Sequence, residues 1–245
     1  MYEKAHFPRT TANEIPYDVL NSIRESEEPV NVLIYGDSKV GKSVLASNAS
    51  KKFHEKESLF CGMSDIVLRL RLTLEEEEAF FDRIGSAPVL FLDNFETAFD
   101  TDAGSYMVAL LLQERQRQNF STILISRKSL DTVPYDEVAQ KVNPEAAETL
   151  KKDLAAFTEY EIKPLDAENR RQAIAEFVNL SSDGTVTMSE EAIADIEQSI
   201  ASIADIETLI KHIATNAREQ KIAELNTSNI ESLLTKNSIV EEMGN

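Results

Sequence analysis

The feature that most constrains this chain is a short segment in which two glycines, a lysine and a hydroxyl residue stand at fixed spacing: Gly36-Asp37-Ser38-Lys39-Val40-Gly41-Lys42-Ser43. An apolar, β-branched run from Asn31 to Tyr35 precedes it and an amphipathic stretch from Ser43 to Phe53 follows, which predicts a strand, a loop and a helix. A chain of this length contains such a match by chance in about one case in a hundred. Glycines allow a tight turn, the amide groups converge on an anion, and the helix dipole favours negative charge. The segment therefore predicts a loop that binds phosphate.

The side chains of this loop indicate what it binds. Lys42 would neutralise the β- and γ-phosphates of a nucleotide, and the hydroxyl of Ser43 would coordinate Mg²⁺. We therefore expect ATP or ADP, together with Mg²⁺, as the cofactors. The expected nucleotide-binding residues are those of the loop and the one after it: Gly36, Asp37, Ser38, Lys39, Val40, Gly41, Lys42, Ser43 and Val44.

Apolar runs of strand length alternate with helical stretches up to residue 163. The predicted strands after the first are 88–92, 121–126 and 157–162, and the predicted helices between them are 74–85 and 104–118. Parallel strands need crossover connections, which are usually helices, so this alternation favours a parallel sheet covered on both faces. We therefore expect an α/β fold, with residues 1–163 forming a nucleotide-binding domain.

The pattern changes after Pro164, where helical spacing continues and no strand-like run follows. The predicted helices are 167–180, 189–199, 203–220 and 227–234. Ser189, with two glutamates behind it, is typical of a helix start. Residues 164–245 are therefore expected to form a smaller, all-helical domain.

Polar residues follow two of the predicted strands where a phosphate ligand would lie. Asp93 ends the strand 88–92, the place where proteins with this loop carry an acidic residue near the metal, and Asn94 comes next. Because ligands sit at the carboxyl ends of parallel strands, Arg127 at the end of 121–126 is expected beside the γ-phosphate. Asp93 and Asn94 are the candidate catalytic residues, and Ser43 and Asp93 the candidate metal ligands.

The composition limits the partners and the compartment. The formal net charge is −18, which disfavours nucleic acid and anionic membranes, and no cluster of basic residues offsets it. Cys61 is the only cysteine, so an internal disulfide is excluded, and we expect this residue to be a small buried hydrophobe. No apolar run has the length of a signal peptide or a membrane span. We therefore expect a cytoplasmic protein that binds neither duplex DNA nor membrane.

Taken together, these motifs resemble the AAA+ ATPases, and most closely the nucleotide-binding domain of the bacterial replication initiator DnaA and its short relatives such as Hda and the DnaC helicase loader. The residues that carry the resemblance are Thr11-Ala12-Asn13-Glu14, the loop 36–43, Val89-Leu90-Phe91-Leu92-Asp93-Asn94, Thr122-Ile123-Leu124-Ile125-Ser126-Arg127, and Ile162-Lys163-Pro164-Leu165-Asp166-Ala167-Glu168-Asn169-Arg170. The resemblance implies a helical lid after the sheet and an adenine pocket around Phe7 to Asn13.

Three positions depart from what the resemblance implies for hydrolysis. The family usually has a second acid after the aspartate to orient the attacking water, whereas this chain has Asn94. The arginine finger is replaced by Ala155-Ala156-Phe157, with Lys151 and Lys152 as distant substitutes, and the sensor II arginine falls near Ala204.

Two further differences concern sensor I and DNA. Arg127 stands at sensor I, where the family favours a small polar or acidic residue, and the chain stops where DnaA would begin its DNA-binding domain.

We therefore expect an ATP- or ADP-binding regulatory module with weak or absent hydrolysis, which acts through a protein partner in replication initiation or a related DNA transaction. Self-association of the AAA+ kind stays open. The alternative is a working ATPase of the helicase-loader or transposase-helper type, in which Glu96 reaches the site. A P-loop kinase is disfavoured, because the helical domain follows the sheet instead of interrupting it.

Overall fold

The computed structural model describes residues 6–54, 57–69, 74–200 and 203–235. The chain divides into two compact units. Among the described residues, 15–163 form the α/β unit, and 164–235 form a helical unit together with 6–14. The confirmed fold class is therefore α/β followed by a smaller helical part.

The α/β unit is built on a five-stranded sheet in which every described pairing is parallel. Its strands are β1 Asn31–Tyr35, β2 Ser58–Gly62, β3 Val89–Asp93, β4 Ser121–Ser126 and β5 Thr158–Glu161. Their order is β2-β3-β4-β1-β5. β4 therefore lies between β3 and β1, and the carboxyl ends of these three strands meet at one edge. That edge is where ligands bind in open parallel sheets.

Helices cover this sheet and connect its strands. They are α1 Glu14–Ser22, α2 Lys42–Ser50, α3 Met63–Arg69, α4 Leu74–Ser86, α5 Asp102–Arg117, α6 Tyr135–Lys141 and α7 Pro144–Leu154. All five residues of β3 are buried, as expected for a central strand with helices on both faces. Among the described residues, no helix has the length and apolar character needed to cross a membrane.

The sequence analysis missed the edge strand β2. Only Cys61 of its five residues is buried, so the strand carries a weaker apolar signal than the central ones. Cys61 itself is a buried free thiol, as predicted, and burial raises its pKa to about 12. The thiol is therefore unreactive at neutral pH.

Arg115 lies at the amino-terminal ends of β3 and β4, opposite the carboxyl ends where ligands bind in such sheets. This arginine of α5 is fully buried. Its Nε donates to the hydroxyl of Thr122 at 2.9 Å, and its Nη1 donates to the carbonyls of Ile84 and Ala87 at 3.0 and 2.9 Å. Nη2 donates to the carbonyl of Ser121. One guanidinium thus ties α5 to the start of β4 and to the chain entering β3, and burial lowers its pKa to about 10.

The helical unit contains α8 Ala167–Ser181, α9 Glu190–Ser199, α10 Ile203–Glu219 and α11 Thr227–Thr235. Ser189 begins α9 as predicted, and its hydroxyl accepts from the amide of Ala192 at 3.3 Å. The unit also holds a short parallel strand pair that the sequence did not indicate, β6 Thr187–Met188 with β7 Glu224–Leu225. Two-residue strands are too short to leave a periodic signal.

The amino-terminal segment packs with the helical unit, whereas the sequence analysis assigned all residues up to 163 to the nucleotide-binding domain. The side-chain amide of Asn169 on α8 holds the amino-terminal segment in this place. Its Oδ1 accepts from the hydroxyl of Thr11 at 2.9 Å and from the amide of Ala12 at 3.0 Å. Such long-range bonds cannot be read from local sequence.

Candidate nucleotide-binding site

The loop 36–41 joins the end of β1 to the start of α2, and both of its glycines are required by the backbone. Gly36 has a φ of +145°, and a Cβ there would lie 2.2 Å from the carbonyl oxygen of Ile162. Gly41, at a φ of 93°, is the left-handed residue that begins α2. Side chains at these two positions would strain the turn that exposes the amino end of the helix.

Lys42 is folded back onto its own loop. The residue is only 8% exposed, and its Nζ donates to the carbonyls of Gly36 at 2.8 Å and Asp37 at 2.7 Å. Burial lowers the pKa of this ammonium, and the neighbouring carboxylates, Glu96 foremost, oppose that effect. A phosphate at the loop would take over the place of the two carbonyls and favour the charged lysine.

Ser43 and Asp93 come together at the edge of the sheet. The Ser43 hydroxyl donates to Oδ1 of Asp93 at 3.0 Å, and the amide of Asn94 donates to the same oxygen at 3.0 Å. Asp93 is 7% exposed, and burial raises its pKa although both hydrogen bonds oppose the rise. A buried carboxylate beside a hydroxyl favours an added cation, because the cation would compensate the buried charge.

Ser43 and Asp93 suit Mg²⁺ that is bound partly by phosphates better than a metal ion that is bound by protein side chains alone. Hydroxyl and carboxylate oxygens are the hard ligands that Mg²⁺ prefers, and it is usually bound by one or two protein groups with phosphates and water. The described residues contain no group of three or more histidine, cysteine, aspartate or glutamate side chains able to hold a metal. Ser43 and Asp93 would therefore hold Mg²⁺ only together with the phosphates of a nucleotide.

Asn94 has a local structural reason to be asparagine. Its backbone is left-handed, with φ 56° and ψ 44°, and it begins the 3₁₀ helix Phe95–Asp100. Its carbonyl accepts from both the amide and the hydroxyl of Thr97, at 3.0 and 2.8 Å. Asparagine and aspartate tolerate this conformation better than most residues. The sequence analysis noted the lost acid but had no means of seeing this turn.

Glu96 and Arg127 form an ion pair at the carboxyl ends of β3 and β4. Nε of Arg127, just after β4, donates to Oε1 of Glu96 at 2.6 Å, and the Arg127 amide donates to Oε2 at 3.3 Å. The Glu96 side chain is 12% exposed and the Arg127 side chain 59% exposed. Burial alone would raise the pKa of Glu96, but the hydrogen bonds from Arg127, together with those from its own backbone amide and from Ser126, outweigh burial and hold the pKa below its usual range.

The sequence analysis named both residues but did not pair them. Glu96 follows β3 and Arg127 follows β4, and their contact depends on these two strands being neighbours in the sheet. The sequence analysis did not establish the order of the strands in the sheet and so could not predict this contact. Two opposite charges placed shortly after different strand ends are the only sequence signal.

Other predicted positions lie away from the loop. Lys151 and Lys152 are exposed in the last turn of α7, followed by exposed Ala155 and Ala156. This end of α7 leads into the amino end of β5, so within the α/β unit it lies at the edge opposite the loop.

Two expected positions belong to the helical unit. Ala204 is exposed near the start of α10, and the segment Phe7 to Asn13 is bonded to α8. Their roles toward adenine and phosphate stay predictions.

Comparison with solved structures identifies the fold. Domain III of the Thermotoga maritima replication initiation protein DnaA superposes with a TM-score of 0.64 at 13% identity, covering 93% of this chain and 93% of that one. The chain has the fold of DnaA domain III. AMPPCP-bound DnaA from Aquifex aeolicus matches with a TM-score of 0.62 at 18% identity, over 88% of this chain and 67% of that one.

DnaI matches less closely, with a TM-score of 0.51 at 18% identity over 63% of this chain and 86% of that one. No protein-family model matches the sequence, and no curated protein matches it significantly. The resemblance to the DnaA group of AAA+ ATPases is thus confirmed in the fold, while sequence identity to these structures is low.

Proposed function

We propose that this chain binds ATP or ADP with Mg²⁺ at the loop 36–44. The observation that carries the proposal is the contact between Ser43 and Asp93, which brings a hydroxyl and a carboxylate together beside Lys42. In a fold shared with an AMPPCP-bound protein, this is the pairing that a metal–nucleotide complex would require.

We further propose that the chain is a regulatory module with weak or absent hydrolysis. Asn94 cannot act as a general base, and the position expected to carry an arginine finger is Ala156. An arginine finger alone is worth about 10³ to 10⁵ in rate. Loss of both groups would leave a site that holds nucleotide and turns it over slowly.

A working ATPase is the second candidate, and one observation favours it. Glu96 follows β3 three residues after Asp93 and is held at the end of the neighbouring strand β4 by Arg127, so a carboxylate other than residue 94 is available at the carboxyl ends of these strands. Such an enzyme would be of the helicase-loader or transposase-helper type. In the structure, however, Glu96 is engaged by Arg127 and would first have to be released.

The proposed partner is a protein of the replication-initiation machinery or of a related DNA transaction, encountered in the cytoplasm. The DnaA fold supports this context, and the net charge of −18 disfavours direct contact with the DNA backbone. Self-association in the manner of AAA+ proteins is a further part of the proposal.

Nucleotide titration tests the first proposal. A fluorescent ADP or ATP analogue should bind the wild type in a Mg²⁺-dependent manner, and Lys42→Ala should weaken binding about 100-fold, because the phosphates lose their main counterion. Lys52→Ala, an exposed lysine just past α2, makes the same charge change and should bind as the wild type does. Equal affinity of Lys42→Ala and wild type would mean that the site lies elsewhere.

Single-turnover phosphate release separates the two candidates. The regulatory module predicts a rate below about 0.01 per second, with or without added DNA. A rate near one per second, lost in Glu96→Gln, would instead establish the ATPase.

Duplex DNA binding tests the partner assignment. We expect no binding at submicromolar protein and physiological salt, because the acidic surface repels phosphates. Fluorescence anisotropy with a labelled duplex measures this, and a submicromolar transition would contradict the proposal.

A further inference from the structure

The contact between Glu96 and Arg127 crosses the sheet edge directly beside the nucleotide loop. β4 pairs with β3 on one side and with β1 on the other, and Ser126 is the register partner of Tyr35, the residue before the loop. Arg127 thus stands between the loop after β1 and Glu96 after β3. Any anion bound at the end of the loop on this side would approach the same guanidinium.

The two partners differ in exposure, and this difference decides which one can change partner. Glu96 is nearly buried and receives two hydrogen bonds from Arg127, whereas the arginine side chain is more than half exposed. An exposed, flexible guanidinium can leave one oxyanion for another at little packing cost, and it prefers planar or multidentate oxyanions such as carboxylate and phosphate. A terminal phosphate is such a competitor.

The positions of the charged side chains also support an exchange of partners by Arg127. Lys42 begins α2 directly after the loop that follows β1, Arg127 follows β4 and Glu96 follows β3, so all three lie at the carboxyl ends of neighbouring strands. The Glu96 carboxylate is therefore held at the end of the sheet that also carries the two cations a γ-phosphate would need. A second anion brought there would compete with Glu96 for Arg127.

We propose that Glu96 is an internal competitor of the γ-phosphate for Arg127, so that the site discriminates against ATP and keeps ADP as its resting ligand. The proposal rests on the nucleotide site proposed above. ADP lacks the phosphate that would compete and binds without disturbing the pair. ATP binds only by drawing Arg127 away from Glu96, and Glu96 is thus a specificity-determining residue that acts through Arg127.

The test is a double-mutant cycle measured as binding of Mg·ADP and of Mg·AMPPCP, a triphosphate analogue that is not hydrolysed. Glu96→Gln should tighten AMPPCP about tenfold and change ADP by less than about twofold, because Arg127 is then free for the γ-phosphate. Arg127→Gln should weaken AMPPCP about tenfold with ADP unchanged. In the double variant, Glu96→Gln should have no further effect on AMPPCP, since its action runs through Arg127.

Three outcomes would overturn the inference. An unchanged ratio of AMPPCP to ADP affinity in Glu96→Gln would show that the pair does not set nucleotide preference. Tightening that persists in the Arg127→Gln background would assign the effect to direct repulsion instead of competition. A matched carboxylate-to-amide change at exposed Glu148 on α7 should leave both affinities unchanged, and an equal tightening there would reveal a general charge effect.

The same titrations separate failure of the inference from failure of the proposed function. If ADP binds the wild type and both single variants alike, the nucleotide site stands whatever the AMPPCP result. If the wild type binds neither nucleotide, both proposals fail together. Urea unfolding of each variant shows that altered binding does not come from a damaged fold.

Discussion

Two arginines flank strand β4, and they are used in opposite ways. Arg115 precedes the strand, is fully buried, and donates to backbone carbonyls and one hydroxyl, and no carboxylate of the described residues pairs with it. Arg127 follows the strand, is 59% exposed, and pairs with the carboxylate of Glu96. One ties the amino edge of the sheet together, while the other is presented at the carboxyl edge beside the nucleotide loop.

The comparison indicates that charged groups at the amino-terminal ends of the strands stabilise the fold, whereas those at the carboxyl ends are available to bind a ligand. At the amino edge a buried cation is tolerated because neutral acceptors surround it, and losing it would leave several buried carbonyls unpaired. At the carboxyl edge the charged groups, Lys42, Asp93, Glu96 and Arg127, are held by contacts that a ligand could replace. We therefore expect substitutions at the amino-terminal ends of the strands to affect folding stability, and substitutions at the carboxyl ends to affect nucleotide binding.

The largest effect is expected from Arg115→Met. Methionine fills much of the same space but cannot donate to the carbonyls of Ile84, Ala87 and Ser121, so the free energy of unfolding should fall by about 3 to 5 kcal/mol. Urea denaturation followed by circular dichroism measures the loss. Arg127→Met is the matched control and should shift the midpoint less, because the Arg127 side chain is more than half exposed and satisfies no buried carbonyls. Equal losses in the two variants would remove the contrast between the edges.

A smaller effect, of opposite sign, is expected from Asp153→Asn in the last turn of α7. Asp153 is buried, its Oδ2 has no hydrogen-bond partner among the described residues, and burial raises its pKa. A carboxyl with a raised folded-state pKa holds its proton more tightly when folded, so stability falls as pH rises from the unfolded value of about 4 through the folded value.

The neutral amide removes this penalty and should stabilise the protein by about 1 kcal/mol at pH 7, with the gain shrinking toward pH 4. Thermal unfolding across that pH range checks the trend. Asp82→Asn, an exposed change on α4, should show no such pH dependence. A gain that stays constant with pH would mean that charge burial is not its cause.

The smallest effect is expected from Asn94→Asp at the carboxyl edge. Aspartate tolerates the left-handed backbone and adds a carboxylate that can accept a hydrogen bond from the attacking water. Single-turnover phosphate release should rise by less than about tenfold, because the proposed lack of an arginine finger would remain the larger deficit, and nucleotide affinity should not change.

Asn94→Gly is the control for this variant, since it accommodates the same backbone without supplying a base. Its rate should equal that of the wild type. A wild type that already turns over at about one per second, with Asn94→Asp no faster, would favour the ATPase in which Glu96 is the base.

The sequence determined the central strands and the nucleotide loop, because their signals are local. β1 and β4 begin and end at the residues that their apolar runs predict, and the spacing of Gly36, Gly41 and Lys42 needs no distant information. Most long helices were located to within two residues from their apolar periodicity. The helices α6 and α7 were missed, although Asn143 caps α7 before a proline, because no long apolar pattern marks them.

Tertiary structure decided everything that depends on which segments become neighbours. The order of the strands places β4 between β1 and β3, and only this order brings Arg127 to Glu96 and Ser43 to Asp93. Asn169 likewise fixes the amino-terminal segment through bonds to residues far away in the chain. Local propensity specifies the elements because it acts over a few residues, whereas the pairing of charges and the burial of Arg115 depend on packing across the sheet, which no short window of sequence contains.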